Sequence, residues 1–322
     1  MSPTQHDLFI PFYSETYSSR FLREQYEKIN LTQAKTKSYH VCSSFMYHLQ
    51  HGQLYFKQAS IAPIEIKPIL LFYGYVQLIK ACVLTLDPNY PENSQVLAHG
   101  VTTRKRKKTS YRFLDDEVKV QKNGLFSLFL EKMFHVKHLE GEKYYMQTLL
   151  THIADMHSLF HTLQRKDLSF KGIAKLNERH VEFSSQVLDL YHMTPNRFEQ
   201  YIESFNDQYK GIRVTEKKTS IILSIPNWPN SFNSSPLLFD EQNKVYFLKD
   251  RNANSQYSLP EFATHFLLLY NLSMICRYEA EWWGDLIHTF DGVDFPFIFH
   301  YLEVAQYKLP QMVFNYLQHL DT

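Results

Sequence analysis

The chain has 322 residues, 16% of them Phe, Tyr or Trp and only nine Gly, with a formal net charge of +1 when His is neutral. An average soluble domain carries roughly 7% Gly; here no G-x-G-x-x-G fingerprint, Walker loop or G-x-S-x-G elbow can be written, which argues against the usual dinucleotide dehydrogenases, P-loop NTPases, kinases and α/β-hydrolases. The near-zero charge supplies no global field for nucleic acid or an anionic membrane, so any such contact has to be local.

Thr32 is placed to cap a helix running to about His51, with Tyr39, Cys42, Phe45, Met46 and Leu49 on one face and Gly52 as the expected stop. A short helical segment is expected near Gln53–Gln58. Pro63 and Pro68 then bracket the entry to an apolar helix over Lys67–Leu86, which ends before Asp87-Pro88 because the residue before proline avoids helical geometry. Inside it, Gly74 predicts a close helix–helix approach beside Tyr73. Residues 87–99 read as a loop. Tyr111, Phe113, Val118 and Val120 alternate like a hairpin near 109–122, and helices are expected over Leu125–Phe134 and Glu142–Gln164.

Between Lys175 and Arg251 the pattern turns β-like. Val181–Leu190 is apolar and β-branched, Thr194-Pro195 opens a helix to about Phe205, and Ile212–Val214, Thr219–Ile225, Leu237–Phe239 and Val245–Leu248 read as short strands. Asp240-Glu241-Gln242-Asn243 suits a hairpin turn between the last two. Helices return with Ser258 as a cap, through Arg277, then over Glu279–Thr289 and Pro296–Leu317. The expectation is a mainly helical α+β fold in one compact unit over 1–322. Residues 1–174 form its helical part, 175–251 its β-rich portion of short antiparallel strands, and 252–322 pack back as helices. The apolar windows Ile69–Val76 and Phe262–Cys276 fall short of the roughly 20 residues of a membrane span. The N-terminal residues have no signal-peptide character. Cys42, Cys82 and Cys276 are odd in number and set in apolar helical patterns, which points to a reducing cytoplasm.

Two constellations stand out as binding candidates. Arg104-Lys105-Arg106-Lys107-Lys108 places five cations in a row in an expected loop. Such a run reads either as a solvated loop balanced by Asp115-Asp116-Glu117, or as a contact for phosphates or an acidic partner, weakened by salt. The second is Arg277-Tyr278-Glu279-Ala280-Glu281-Trp282-Trp283 between two apolar helices. Here Arg277 and Glu281 are i, i+4 neighbours on a helix, and Trp282 and Trp283 face apart, so one indole is buried and the other presented. This reads as a helix–helix corner held by an ion pair and a Trp anchor, or as a rim in which Arg277, Tyr278, Glu281, Trp282 and Trp283 meet a partner. His265, Tyr270 and Asn271 are placed to share its surface.

Other chemistry is not supported by spacing. His157 and His161 stand at i, i+4, with His152 and Asp155 nearby, but no carboxylate base lies between them, so no metal or other cofactor is assigned. No arginine is followed by a histidine at the four-to-six spacing of a helical ribonuclease of the HEPN type. Lys80, near the end of an apolar helix, reads as snorkelling or paired. No catalytic residue emerges, and the reading leans towards a protein that is not an enzyme.

At Ala62-Pro63-Ile64-Glu65-Ile66-Lys67-Pro68-Ile69-Leu70-Leu71-Phe72-Tyr73-Gly74, at His99-Gly100, and from His265 through Arg277-Tyr278-Glu279-Ala280-Glu281-Trp282-Trp283, the chain resembles the YaaC-like family of Bacillus and related Gram-positive bacteria. The likeness spans nearly the whole length and brings no catalytic residues with it. Genes of that family commonly sit beside the one for inosine monophosphate (IMP) dehydrogenase, so the resemblance implies a link to guanine-nucleotide synthesis. The expectation is a cytoplasmic interaction or regulatory protein with a protein partner, IMP dehydrogenase being the one implied. The alternative is a nucleotide- or RNA-binding module that uses residues 104–108.

Overall fold

The computed structural model describes residues 8–103, 111–175, 179–205, 209–226, 236–240, 245–249, 259–289 and 292–321. It is a mainly helical α+β protein. In chain order the helices and strands are α1 (Glu15–Lys28), α2 (Ala34–Ile61), α3 (Lys67–Leu84), β1 (Val101–Thr103), β2 (Glu117–Val120), α4 (Leu125–Phe134), β3 (Lys143–Tyr145) and α5 (Met146–Leu150). Then come α6 (His157–Gln164), β4 (Ser169–Lys175), β5 (His180–Ser184), α7 (Gln186–Tyr191), α8 (Pro195–Glu203), β6 (Arg213–Glu216), β7 (Ser220–Ser224), β8 (Leu237–Asp240) and β9 (Val245–Lys249). The chain closes with α9 (Glu261–Tyr278), α10 (Ala280–Thr289) and α11 (Asp294–Asp321).

Packing divides the chain into two compact units, Met1–Leu149 with Phe262–Thr322, and Leu150–Glu261. The sequence pattern predicts one unit over 1–322 with a β-rich portion at 175–251. The second unit begins at Leu150, and its first strand, β4, opens at Ser169, ahead of that portion.

The first unit is built on the contact between α2 and α3. Gly52, expected to stop a helix, lies inside α2 instead. A Cβ there would come within 2.5 Å of Leu78 Cδ2 and 3.2 Å of the Gly74 carbonyl. A Cβ on Gly74 would come within 2.9 Å of Tyr55 Cβ and 3.0 Å of the Phe56 ring, so the close approach expected at Gly74 is found, with Gly52 as its second half. Helix α2 therefore runs on through the expected break, and its N-cap is Gln33 rather than Thr32.

Helix α3 is the one helix among the described residues that is long and apolar enough to cross a membrane, and 72% of it is buried within the fold. Phe72 meets Phe266 and Tyr270 edge-on at 5.5 and 5.6 Å, and Tyr75 Oη donates to the Phe262 carbonyl at 3.0 Å. Phe126, Phe129 and Phe266 form a further mutual cluster. Ring pairs of this kind contribute about 0.5–1.5 kcal/mol each beyond their buried area. Three lysines anchor onto carboxylates: Lys67 on Glu303, Lys132 on Asp87 at 2.8 Å and Lys143 on Glu117 at 3.0 Å.

The hairpin expected near 109–122 is not formed. Strand β2 pairs with β1 (Val101↔Val120) and with β3 (Val118↔Tyr144), all antiparallel. Phe113–Asp115 is a 3-10 turn because the Asp294 carboxylate, at the start of α11, accepts the Phe113 and Leu114 N–H groups at 2.7 and 3.4 Å. The helix expected over 142–164 is also broken. Residues 143–145 join β2, Met146 N–H donates to the Asp116 carbonyl, and Ile153 is extended.

The second unit is an antiparallel sheet of order β6-β7-β5-β4-β9-β8. Strand β4 pairs with β9 through Ser169–Gly172 and with β5 through Ile173–Lys175, so it changes partner midway. Gly172 stands at that change, where a Cβ would run into Phe183 and Val181 at 2.6 and 2.7 Å. The stretch expected as β over 181–190 splits into β5 and α7. Helices α7 and α8 then add Val187, Leu188, Tyr191, Phe198 and Ile202 to a core with Val181, Phe183, Ile221 and Leu223. Thr194 caps α8 as expected, and β8 and β9 pair as the expected hairpin. The turn residues Glu241, Gln242 and Asn243, and the expected cap Ser258, lie outside the described residues.

Gly74→Ala gains about 1 kcal/mol of helix propensity but forces a methyl against Tyr55 Cβ, a crowding that costs roughly 1–3 kcal/mol. A net loss is expected, read as a lower urea midpoint. Gly284→Ala on α10, where nothing lies within 4 Å of the added methyl, is expected to raise the midpoint.

Candidate functional site

The Arg/Trp corner forms where α9 gives way to α10. Glu279 joins the two helices: its N–H donates to the Ile275 carbonyl at 2.8 Å and its carbonyl accepts the Trp283 N–H at 2.9 Å. The break at this residue puts Arg277 and Glu281 on different helices, and among the described residues the expected ion pair between them is absent. Arg277 is held otherwise. Its Nε donates to the Ser273 carbonyl at 3.0 Å, Nη1 to Tyr73 Oη at 3.2 Å and Nη2 to Met274 Sδ at 3.1 Å. The guanidinium also lies 5.9 Å from the Tyr73 ring and 5.2 Å from the Tyr278 ring, within cation–π range.

The two indoles divide as the sequence suggests. Trp283 is buried and its Nε1 donates to the Glu65 carbonyl at 3.0 Å, an oxygen that also accepts Cys276 Sγ. Trp282 is half-buried and meets Tyr111 edge-on at 4.6 Å. Tyr278 is 66% exposed, and Glu281 is exposed beside it. The corner thus presents Tyr278, Glu281 and part of Trp282 over a fixed base of Trp283 and Arg277.

Of the three residues expected to share this surface, Tyr270 is buried, though near enough to Arg277 to feel its charge. His265 and Asn271 do not share it. Both are fully buried, His265 stacked on Tyr301 at 5.7 Å and Asn271 donating to Asp116 Oδ2 at 3.0 Å. The basic run Arg104, Lys105, Arg106, Lys107 and Lys108 lies outside the described residues. The helical histidines have other engagements. His157 contacts Ser169 Oγ and the Thr151 carbonyl, and His161 contacts Asp167 at 2.7 Å. Among the described residues no group of three or more His, Cys, Asp or Glu side chains is arranged to hold a metal ion.

The structure also assembles residues that were not singled out together. The His99 ring packs on Phe72, Tyr270 and Tyr73 at 4.9, 5.8 and 6.2 Å. On α3, Tyr73, Gln77 and Lys80 follow at i, i+4 and i+7, a half-buried polar stripe on an otherwise apolar helix. Gln77 Oε1 bonds His48 Nδ1 at 2.6 Å. Burial, then the nearby Arg277 and Lys80, push the His99 imidazole below its ordinary range. Burial also lowers His48, against a raising bond from Gln77 and with further lowering from Lys80 and His51. Burial alone lowers Lys80, and burial raises Tyr270 against the opposing Arg277. The i, i+4, i+7 stripe was the one signal in the sequence that could have pointed here.

The sign of the resulting pH effect follows from linkage. The unfolded chain takes up protons on His48 and His99 near the ordinary value of 6.5, while the folded chain resists until lower pH. Their contribution to stability is therefore full above about pH 6.5 and is lost as pH falls through the window below it. Unfolding free energy by urea titration is expected to drop between pH 7 and pH 5, less steeply in His99→Gln. Asp294, raised by burial, acts in the opposite sense.

Comparison with known proteins bears on the whole chain. No curated protein and no solved structure matches it. A family model described as YaaC-like protein matches residues 10–317. That span takes in both helical segments of the first unit and all of the second, and the chain belongs to the YaaC-like protein family.

Proposed function

We propose that the protein is a non-catalytic interaction protein that regulates a partner enzyme in the cytoplasm, docking through the α9–α10 corner. The observation that carries the reading is the combination of a 66% exposed Tyr278 and a half-exposed Trp282 with a rigid base. Aromatic and arginine side chains on a fixed backing are the composition of binding hot spots, since little entropy is lost on ordering them. The three free cysteines fit a reducing compartment. IMP dehydrogenase is the partner to test first, because genes of the family lie beside its gene.

The test uses the purified full chain and purified IMP dehydrogenase in sedimentation velocity and biolayer interferometry. Association in the micromolar range or tighter is expected. The double substitution Tyr278→Ala with Trp282→Ala is expected to weaken it by about 30-fold or more, the effect of losing a hot spot of about 2 kcal/mol. Absence of association at tens of micromolar, or association indifferent to both substitutions, overturns the reading.

A further inference from the structure

We propose that Lys80, His99, Tyr270 and Arg277 form a binding site for a small phosphate monoester, beside the ring of Tyr73. The site is independent of the partner reading. Only Arg277 is common to both.

The first argument is charge. Lys67, buried, and Lys132 and Lys143, more exposed, each sit on a carboxylate. Lys80 is half-buried in the same unit, and among the described residues it has neither an ion pair nor a hydrogen bond. Arg277 is likewise without a carboxylate, its contacts being a hydroxyl, a carbonyl and a thioether. Taking cations out of water without a counter-charge is costly, and folded proteins normally pair them. Arg277 bonds Tyr73 Oη, the Tyr73 ring packs on His99, and Lys80 follows Tyr73 at i+7 on the same face of α3, so both cations border one cluster and both act on the His99 imidazole.

The second argument is the hydrogen-bond inventory. A guanidinium carries five N–H donors and an ammonium three. Arg277 uses three of its five, and Lys80 uses none. Tyr73 Oη accepts from Arg277, which leaves its own O–H to donate. Tyr270 Oη and the His99 ring nitrogens have no hydrogen-bond partner among the described residues. Gln77 Oε1, the side-chain amide oxygen on the same stripe of α3, is taken by His48. The cluster is rich in donors and short of acceptors, so what completes it is an acceptor-rich anion.

The third argument selects the anion. A guanidinium and an ammonium together match a dianion better than a monoanion, and the planar Arg fork matches the oxygens of a phosphate. The rings of Tyr73, Tyr270 and His99 offer apolar surface for the organic part of an ester. An anion between Lys80 and Arg277 also cancels their push on His99, so binding draws a proton onto that imidazole.

The test titrates the full chain, by calorimetry and thermal shift, with inorganic phosphate, ribose 5-phosphate, a purine mononucleotide and the corresponding nucleoside. The phosphate esters are expected to bind and the nucleoside is not. Inorganic phosphate compared with the two esters reads how much the organic part adds. Affinity is expected to fall at least tenfold in Lys80→Met and in Arg277→Gln, and not in Lys57→Met on the exposed face of α2. Binding is expected to tighten as pH falls from 8 to 6.5, with the His99 ring resonances moving towards the protonated form.

Lys80→Met supplies a readout that a packing role would not give. It is expected to raise the unfolding midpoint of the free protein, by removing an unpaired cation, while abolishing the rise caused by the ester. No ester binding at millimolar concentration, binding that survives both substitutions, equal binding of nucleoside and nucleotide, or a lowered midpoint for free Lys80→Met would each overturn the proposal. Tyr278→Ala with Trp282→Ala leaves ester binding in place, so loss of the partner reading and loss of this one are separable.

Discussion

The close approach of α2 and α3, possible only because Gly52 and Gly74 face one another, is the constraint on which the first unit depends. Helices ordinarily pack with axes about 8–10 Å apart, a spacing set by the side chains between them. Removing the side chain at both crossing points lets Leu78 lie against Gly52, and Tyr55 and Phe56 against Gly74. The same approach brings Tyr55 to 6.4 Å from Tyr73 and lets His48 reach Gln77. With α2 seated on one side, the rest of α3 is covered by α4, α9 and α11, and the narrow strip Tyr73, Gln77, Lys80 is left at the margin. The polar chemistry of the unit is thus a by-product of where two glycines allow the helices to meet.

A second set of contacts fixes the surroundings of the corner. Asp116 is buried and accepts from Tyr111 Oη at 2.7 Å, from Asn271 Nδ2 and from the Glu117 N–H. Asp294 holds the Phe113 and Leu114 amides. Together these two carboxylates strap the segment 111–117 to α9 and to the start of α11, and Tyr111 then supports Trp282. Breaking either carboxylate would strand amide or phenol donors away from water, which costs about 1–3 kcal/mol per group. That is why the presented aromatics have a defined position although Tyr278 itself is open to solvent.

What was legible in the sequence was local. The helices over 125–134 and 195–203, the cap at Thr194, the β8–β9 hairpin and the division of labour between Trp282 and Trp283 all follow from patterns within a few residues. The misreadings share a cause. Gly52 looks like a helix stop because glycine after an apolar repeat usually is one, and only Leu78 and Gly74, on another helix, say otherwise. Phe113 alternates like a strand residue, yet its amide answers to Asp294, 181 positions away. The 142–164 stripe fits a helix, but Tyr144 is claimed by Val118 across the sheet. Arg277 and Glu281 have the right spacing for a pair, and the helix break at Glu279 defeats it. Lys80 and His99 are brought together by the fold across a loop, beyond the reach of any periodicity argument.

The order of segments in the first unit has a consequence for its biogenesis. Helix α3 is the most membrane-like stretch among the described residues, and part of its covering comes from α9 and α11, which follow the second unit in sequence. During synthesis its apolar face has to wait for roughly 180 further residues, about 10–35 s at ordinary translation rates of 5–20 residues per second. The second unit, contiguous in sequence, can close in that interval, whereas the first can only close after it. A pause in synthesis placed after Glu261 would therefore lengthen the exposure of that face more than one placed anywhere before α3.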